Sequence, residues 1–168
     1  MSDLAGVTTL LTQLGLHQAA ALLPGWLERA AHQEVSYAEL LHGVLEEECA
    51  ARASADVQAR LRQAAFPFAA TIEQFDFHFR PELKRQLILR YLDPSFVEQA
   101  HSLTLIGAPG LGKTMLAVAL ATKHVQLGYT ARFVTAQRLA LQLGRASTAI
   151  GRQRVLQPLL RCDVLVLD

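Results

Sequence analysis

Gly107-Ala108-Pro109-Gly110-Leu111-Gly112-Lys113-Thr114 fits the spacing G-x-x-x-x-G-K-[ST], the pattern of a phosphate-binding loop, or P-loop. Each residue type follows from that task. Glycines let backbone N–H groups turn inward and approach an anion closely, and a helix starting just after the loop directs its N-terminal partial positive charge at the same point. Lys113 supplies a mobile cation for the β- and γ-phosphates of a nucleotide, and the Thr114 hydroxyl suits Mg²⁺. The pattern also requires a strand ending before Gly107 and a helix beginning after Gly112. Apolar runs of both kinds are present. A surface turn with an idle lysine is the competing reading, and the flanking runs count against it.

A metal beside bound phosphates needs an acidic residue at the end of a neighbouring buried strand. Val164-Leu165-Val166-Leu167-Asp168 is four aliphatics followed by Asp, so Asp168 reads as the Walker-B aspartate. The other reading is a polar residue that ends a core strand. Asp163 reads as a loop residue. The six histidines show no metal-ligand spacing and read as solvated or core residues. Arg145, Arg152, Arg154 and Arg161 form a loose basic stretch that suits a solvated helix face or contact with DNA phosphates. Glu46-Glu47-Glu48 reads as solvated helix surface.

The elements that must position these residues can be read from periodicity. Leu4, Val7, Leu10, Leu11 and Leu14 recur at helical spacing, and Leu16 to Leu23 repeats the pattern up to Pro24-Gly25, where a break is expected. Ser36 and Glu39 have capping-box spacing ahead of a long helix over about residues 37–65. Phe66-Pro67-Phe68 stops it and marks the boundary between a helical N-terminal domain, residues 1–66, and a second domain, residues 67–168. Phe75, Phe77 and Phe79 alternate with polar residues, as in an extended segment lying on an apolar surface. Glu82 to Leu92 reads as a helix with Leu83, Leu87 and Leu92 inward. From His101 onward, short apolar runs alternate with helical ones, the form of a parallel α/β sheet. Buried strands are expected at Leu103 to Ile106, Ala131 to Val134 and Val164 to Leu167, and helices at Met115 to Val125 and after a Thr135 cap.

Composition excludes several classes. Half the chain is hydrophobic (51%) and 18% is charged, which supports a packed core and argues against disorder. The uncharged run Leu4 to Leu27 is broken by Thr8, Thr9, Thr12, Gln13, His17, Gln18 and Pro24, so neither a signal peptide nor a membrane span is expected. Cys49 and Cys162 lack ligand spacing and read as buried free thiols in a reducing, cytoplasmic setting. The net charge of +1 conceals an asymmetry. Residues 1–66 carry 4 Lys/Arg against 8 Asp/Glu, and residues 67–168 carry 12 against 7, so the second part favours anionic partners.

Residues Thr71 to Phe77, the run Leu103 to Thr114, Gly128-Tyr129, Thr135-Ala136 and the terminal Cys162 to Asp168 together resemble the IstB-like helper ATPases of bacterial insertion-sequence transposition. That family sits beside the DnaC-type helicase loaders in the AAA+ class. The resemblance implies an ATPase fold in which Gly107, Ala108, Pro109, Gly110, Leu111, Gly112, Lys113 and Thr114 bind ATP, and Thr114 and Asp168 hold Mg²⁺. It implies homo-oligomeric assembly on DNA with a transposase partner, and it places the Phe75 to Phe79 segment near the adenine. Members of the family continue past the Walker-B aspartate with a catalytic acidic residue, sensor residues and an arginine finger. These positions are missing here, so a truncated chain with little or no hydrolysis is expected, since an arginine finger alone is worth on the order of 10³–10⁵ in rate. The family sheet also has a strand between the P-loop strand and the Walker-B strand. Without it the fold is an incomplete P-loop parallel sheet with flanking helices, preceded by the small all-helical domain, and Leu103 to Ile106 loses both lateral partners. A DnaC-like loader, a fragment of a P-loop small-molecule kinase that pairs those strands directly, and a non-catalytic interaction module remain as alternatives.

Overall fold

In the computed structural model, residues 4–33, 35–79 and 83–168 are described. They are mostly helical, with one small parallel sheet. The elements are α1 (Leu4–Gln13), α2 (His17–His32), α3 (Tyr37–Ala64), α4 (Arg85–Leu89), α5 (Ser95–Glu98), α6 (Lys113–Gln126), β1 (Ala131–Val134), α7 (Ala136–Arg145), α8 (Ala149–Leu160) and β2 (Val164–Leu167). The chain divides into two compact units, Met1–Asp56 and Val57–Asp168.

In the first unit α2 does not break at Pro24 but runs through it to His32. Proline removes one N–H bond from the ladder, yet the helix is held on both sides of it. Ala19 and Leu23 before the proline bury against Leu40 and Val44 of α3, with Trp26 and Ala30 beyond it packed on the same cluster. The capping box forms as its spacing implies: Ser36 N–H donates to Glu39 Oε2 at 2.8 Å, and Glu39 N–H to Ser36 Oγ at 3.2 Å.

Glu48 is not solvated surface. It is 5% exposed, because it serves the neighbouring helix. The residue ahead of α2 is Leu16, whose side chain has no oxygen to satisfy the orphan N–H groups of the first turn. Glu48 of α3 supplies that acceptor, taking the N–H of Gln18 at 2.8 Å and of Ala19 at 2.9 Å through Oε2. Arg52 Nε donates to its Oε1 at 2.8 Å, while Arg52 Nη2 donates to the Gly15 carbonyl at 2.8 Å. The Ala19 N–H, then Arg52 and Gln18, hold the Glu48 carboxyl below the usual glutamate range, although burial opposes them. A depressed carboxyl stabilises the fold fully above its unfolded value and loses that contribution as pH falls through the lower folded value. Glu48→Gln is therefore expected to lower the thermal midpoint at neutral pH more than Glu46→Gln on the exposed face. The gap should close once the solution is acid enough to protonate Glu48 in both states. Equal midpoints for the two variants at neutral pH would refute the cap.

The second unit is organised around α6. Leu116, Val118, Ala119, Leu120, Ala121 and Val125 are all buried. One side of α6 packs with Phe75 and Ile88, and Leu103 and Leu105 lie against that cluster. Val118 and Ala119 pack with Ala70, beside Phe66 and Phe133, and Val125 packs with Ala64 and Ala131. β1 and β2 pair in parallel with Ala131 opposite Val164 and Val134 opposite Leu167. Asp163 fixes the start of this pairing, since its Oδ2 accepts from Thr130 N–H at 2.8 Å and from Thr130 Oγ1 at 2.6 Å. Those two bonds hold its carboxyl below the usual range.

Several expectations need correction. Leu103 to Ile106 is not a buried strand: it has no ladder partner among the described residues, and β2 pairs with β1 alone. Without lateral partners the segment buries only one side, Leu103 and Leu105 reaching the core while Ile106 is 92% exposed. Residues 71–79 are not extended but form 3-10 turns at Ile72–Gln74 and Phe77–Phe79. The helix expected from Glu82 shortens to α4 plus a 3-10 turn at Arg90–Leu92, with Ile88 inward and Leu87 exposed. Glu82 and the side chain of Phe79 lie outside the described residues. Cys49 is exposed rather than buried. Among the described residues, no helix is long and apolar enough to cross a membrane.

Candidate functional site

Strand direction sets where the site lies. Parallel strands deliver their C-terminal ends to one edge of the sheet, where open α/β folds place ligands. Asp168 follows β2 at that edge and is held by its backbone: its N–H donates to the Val134 carbonyl at 3.1 Å, and its carbonyl accepts from Ala136 N–H at 2.7 Å. Thr135 ends β1 there and caps α7, its hydroxyl accepting from Arg138 N–H at 3.2 Å.

The loop Gly107 to Gly112 opens at the same edge and leads directly into α6. Gly110 (φ +78°) and Gly112 (φ +79°) both adopt the left-handed conformation that L side chains rarely tolerate. Gly112 also has a neighbour, since a Cβ placed on it would stand 3.1 Å from Phe75 Cε2. Phe75 is buried and meets Phe77 edge-to-face with ring centroids 4.9 Å apart. The segment that precedes the loop in sequence thus braces the loop's last turn.

This geometry leaves donors without acceptors. Among the described residues, the backbone N–H groups of Gly110, Leu111, Gly112, Lys113 and Thr114 make no hydrogen bond within the chain. They lie at the N-terminus of α6, where unpaired N–H groups suit an anion. Gly107, Ala108, Pro109 and Gly110 are exposed, and Leu111, Gly112, Lys113 and Thr114 are half-buried. Lys113 Nζ donates to the carbonyls of Gly107 at 2.9 Å and Ala108 at 2.8 Å, which holds the ammonium over the loop.

Thr114 and Asp168, 54 residues apart in sequence, meet: Thr114 Oγ1 donates to Asp168 Oδ1 at 2.8 Å. A hydroxyl and a carboxylate beside a phosphate cradle are hard oxygen donors, and they fit Mg²⁺ in the way that ion is usually held, by one or two protein oxygens plus phosphate and water. No cluster of three or more His, Cys, Asp or Glu side chains suited to a metal occurs among the described residues. A metal here would therefore depend on ligand oxygens.

The sequence profile of the IstB-like ATP binding protein family matches residues 9–168. The chain belongs to that family. It is 36% identical to an insertion sequence IS21 protein of Pseudomonas aeruginosa over 95% of its own length and 60% of the relative's. A protein of insertion sequence IS5376 from Geobacillus stearothermophilus is 30% identical over 84% of this chain and 56% of the relative. A third, from insertion sequence IS232 of Bacillus thuringiensis, is 26% identical over 96% of this chain and 65% of the relative. All three are ATP-binding proteins by name. The IstB-like chain described here spans roughly three-fifths of the length of these relatives.

Sequence reasoning overlooked two supports of the site. The alternation of aromatics implies apolar packing for Phe75, and the resemblance a place near the adenine, but neither implies its contact with Gly112. Asp163 was read as a loop residue, although a Thr at 130 and an Asp at 163, each just ahead of a strand, is a pairing that β1–β2 register would have suggested.

Proposed function

We propose that this IstB-like chain binds Mg·ATP and serves insertion-sequence transposition by coupling nucleotide binding to homo-oligomeric assembly on DNA with a transposase. The observation that carries this reading is the Thr114–Asp168 contact beside a row of free backbone N–H groups. It brings a phosphate cradle, a cation and two metal-type oxygens to one edge of the sheet. The family match and the relatives' insertion-sequence names support the biological setting.

In this reading the N–H groups of Gly110 to Thr114 receive the phosphates, Gly107 to Leu111 shape the loop, and Lys113 exchanges its two loop carbonyls for phosphate oxygens. Thr114 and Asp168 would be the residues to hold Mg²⁺, by a hydroxyl and a carboxylate oxygen. The ion, when bound, neutralises phosphate charge. The N-terminal helices and the AAA+ class of the second domain, with a boundary at residue 66 and a cytoplasmic setting, belong to the same proposal. The isolated position of Leu103 to Ile106 favours it over a simple P-loop kinase, which would pair that segment with β2.

Asp168→Ala separates the roles. It is expected to leave metal-free ATP binding largely intact while removing most of the gain in affinity that Mg²⁺ gives the wild type, measured by calorimetric titration with and without the ion. An unchanged Mg²⁺ gain would remove Asp168 from the site. The coupling is tested by DNA affinity with and without Mg·ATP, where equal affinities would refute it.

A further inference from the structure

A second concave site lies at the opposite edge of the sheet from the P-loop. The strands start there, about 10 Å from their ends at about 3.3 Å per residue. It is a cleft of about 200 Å³ lined by Arg60, Arg132 and Arg161, with Gln63, Thr130 and Cys162 between them. The three arginines come from separate elements: α3, β1 and the residue after α8. No carboxylate lines the cleft, and no arginine of the three has an ion-pair partner among the described residues. The nearest acid, Asp163, accepts two hydrogen bonds from Thr130 and also feels the charge of Arg60, so it offsets part of the positive charge at the cleft. Arg132 is held in place by one bond, Nη1 to the Gln63 carbonyl at 2.7 Å, which leaves most of its five N–H donors free.

Three arginines line one small cleft with the single carboxylate of Asp163 beside them, and the positive charge left over favours an anion there. Forked N–H donors suit the paired oxygens of a phosphate, and the volume admits one such group. We infer that this cleft is a second phosphate site and that its occupant is a backbone phosphate of nucleic acid. The basic surplus of residues 67–168, 12 Lys/Arg against 7 Asp/Glu, favours a polyanion, which also presents neighbouring phosphates to the exposed Arg161. The inference rests on the DNA reading above and adds to it a contact surface that the nucleotide site does not use. A free phosphate ion offers the same chemistry, so the test must separate the two.

The experiment uses the whole chain and a fluorescent duplex of about 20 base pairs, with anisotropy followed from about 50 to 200 mM salt. Arg161→Gln is the main variant, because Arg161 is exposed and makes no side-chain bond in the fold. It is expected to weaken binding and to reduce the slope of log affinity against log salt by about one, whereas Arg161→Lys should keep the slope. Arg60→Gln should repeat the effect of Arg161→Gln. An unchanged slope in both glutamine variants, with the wild type binding DNA, would overturn the site while leaving the DNA reading intact. No DNA binding by the wild type would overturn the DNA reading and the site with it. If inorganic phosphate raises the thermal midpoint of the wild type but not of Arg161→Gln, and DNA affinity is the same for both, the occupant is a free ion and the nucleic-acid assignment fails.

Discussion

Lys113→Ala is expected to reduce Mg·ATP affinity by roughly 30–150-fold, corresponding to about 2–3 kcal/mol for charge-assisted hydrogen bonds to phosphate. The lysine is held over the loop by only two carbonyls, at 2.9 and 2.8 Å, so it can be redirected to an anion with little rearrangement. Lys113→Arg is the informative companion. It keeps the charge, but the larger planar fork does not match a point-charge position, so partial recovery at most is expected. Calorimetric titration decides the matter, and equal affinity in wild type and Lys113→Ala would remove the loop from nucleotide binding.

The parts of this site that were legible in sequence are those fixed by local chemistry. Glycines at 107, 110 and 112 with Lys113 and Thr114 imply a loop entering a helix, and α6 begins at Lys113. Thr135 looks like a cap and is one. The four aliphatics before Asp168 imply a buried strand; β2 forms there, but only Val166 is buried, while Leu165 and Leu167 are exposed. Each of these signals depends on residues within about one turn or one strand length of one another.

What could not be read depends on partners distant in the chain. Leu103 to Ile106 has the composition of a strand, but a strand is a relation between two backbones, and none lies beside it among the described residues. Glu48 sits in a run of three acids that looks solvated. Only the position of the α2 N-terminus, 29 and 30 residues away, makes it a buried cap. Pro24 argues locally for a break, and the burial of Ala19 and Leu23 on α3 prevails over it. Of the cleft's members only Arg161 stood out in sequence, in the basic stretch that suits DNA phosphates; Arg60 and Arg132 are 72 residues apart and meet through packing of α3 on β1.

The second large effect concerns Gly112, where backbone and packing constraints coincide. Gly112→Ala must place an L residue at φ +79°, which costs about 1–2 kcal/mol, and must set a Cβ 3.1 Å from Phe75 Cε2. Phe75 cannot retreat freely, because it is buried with Ile88, Leu116 and Leu120. The loop must therefore yield, and the N–H groups of Gly112, Lys113 and Thr114 turn away from their common focus. Loss of stability by about 1–3 kcal/mol and loss of most ATP affinity are expected together, read from the denaturant midpoint and from titration. Gly144→Ala gives the opposite sign. That glycine lies inside α7 with open space around it, so alanine there should raise stability by up to about 1 kcal/mol and leave ATP binding unchanged. If Gly112→Ala instead matched the wild type in both stability and affinity, the left-handed turn and its aromatic brace would have no part in forming the cradle.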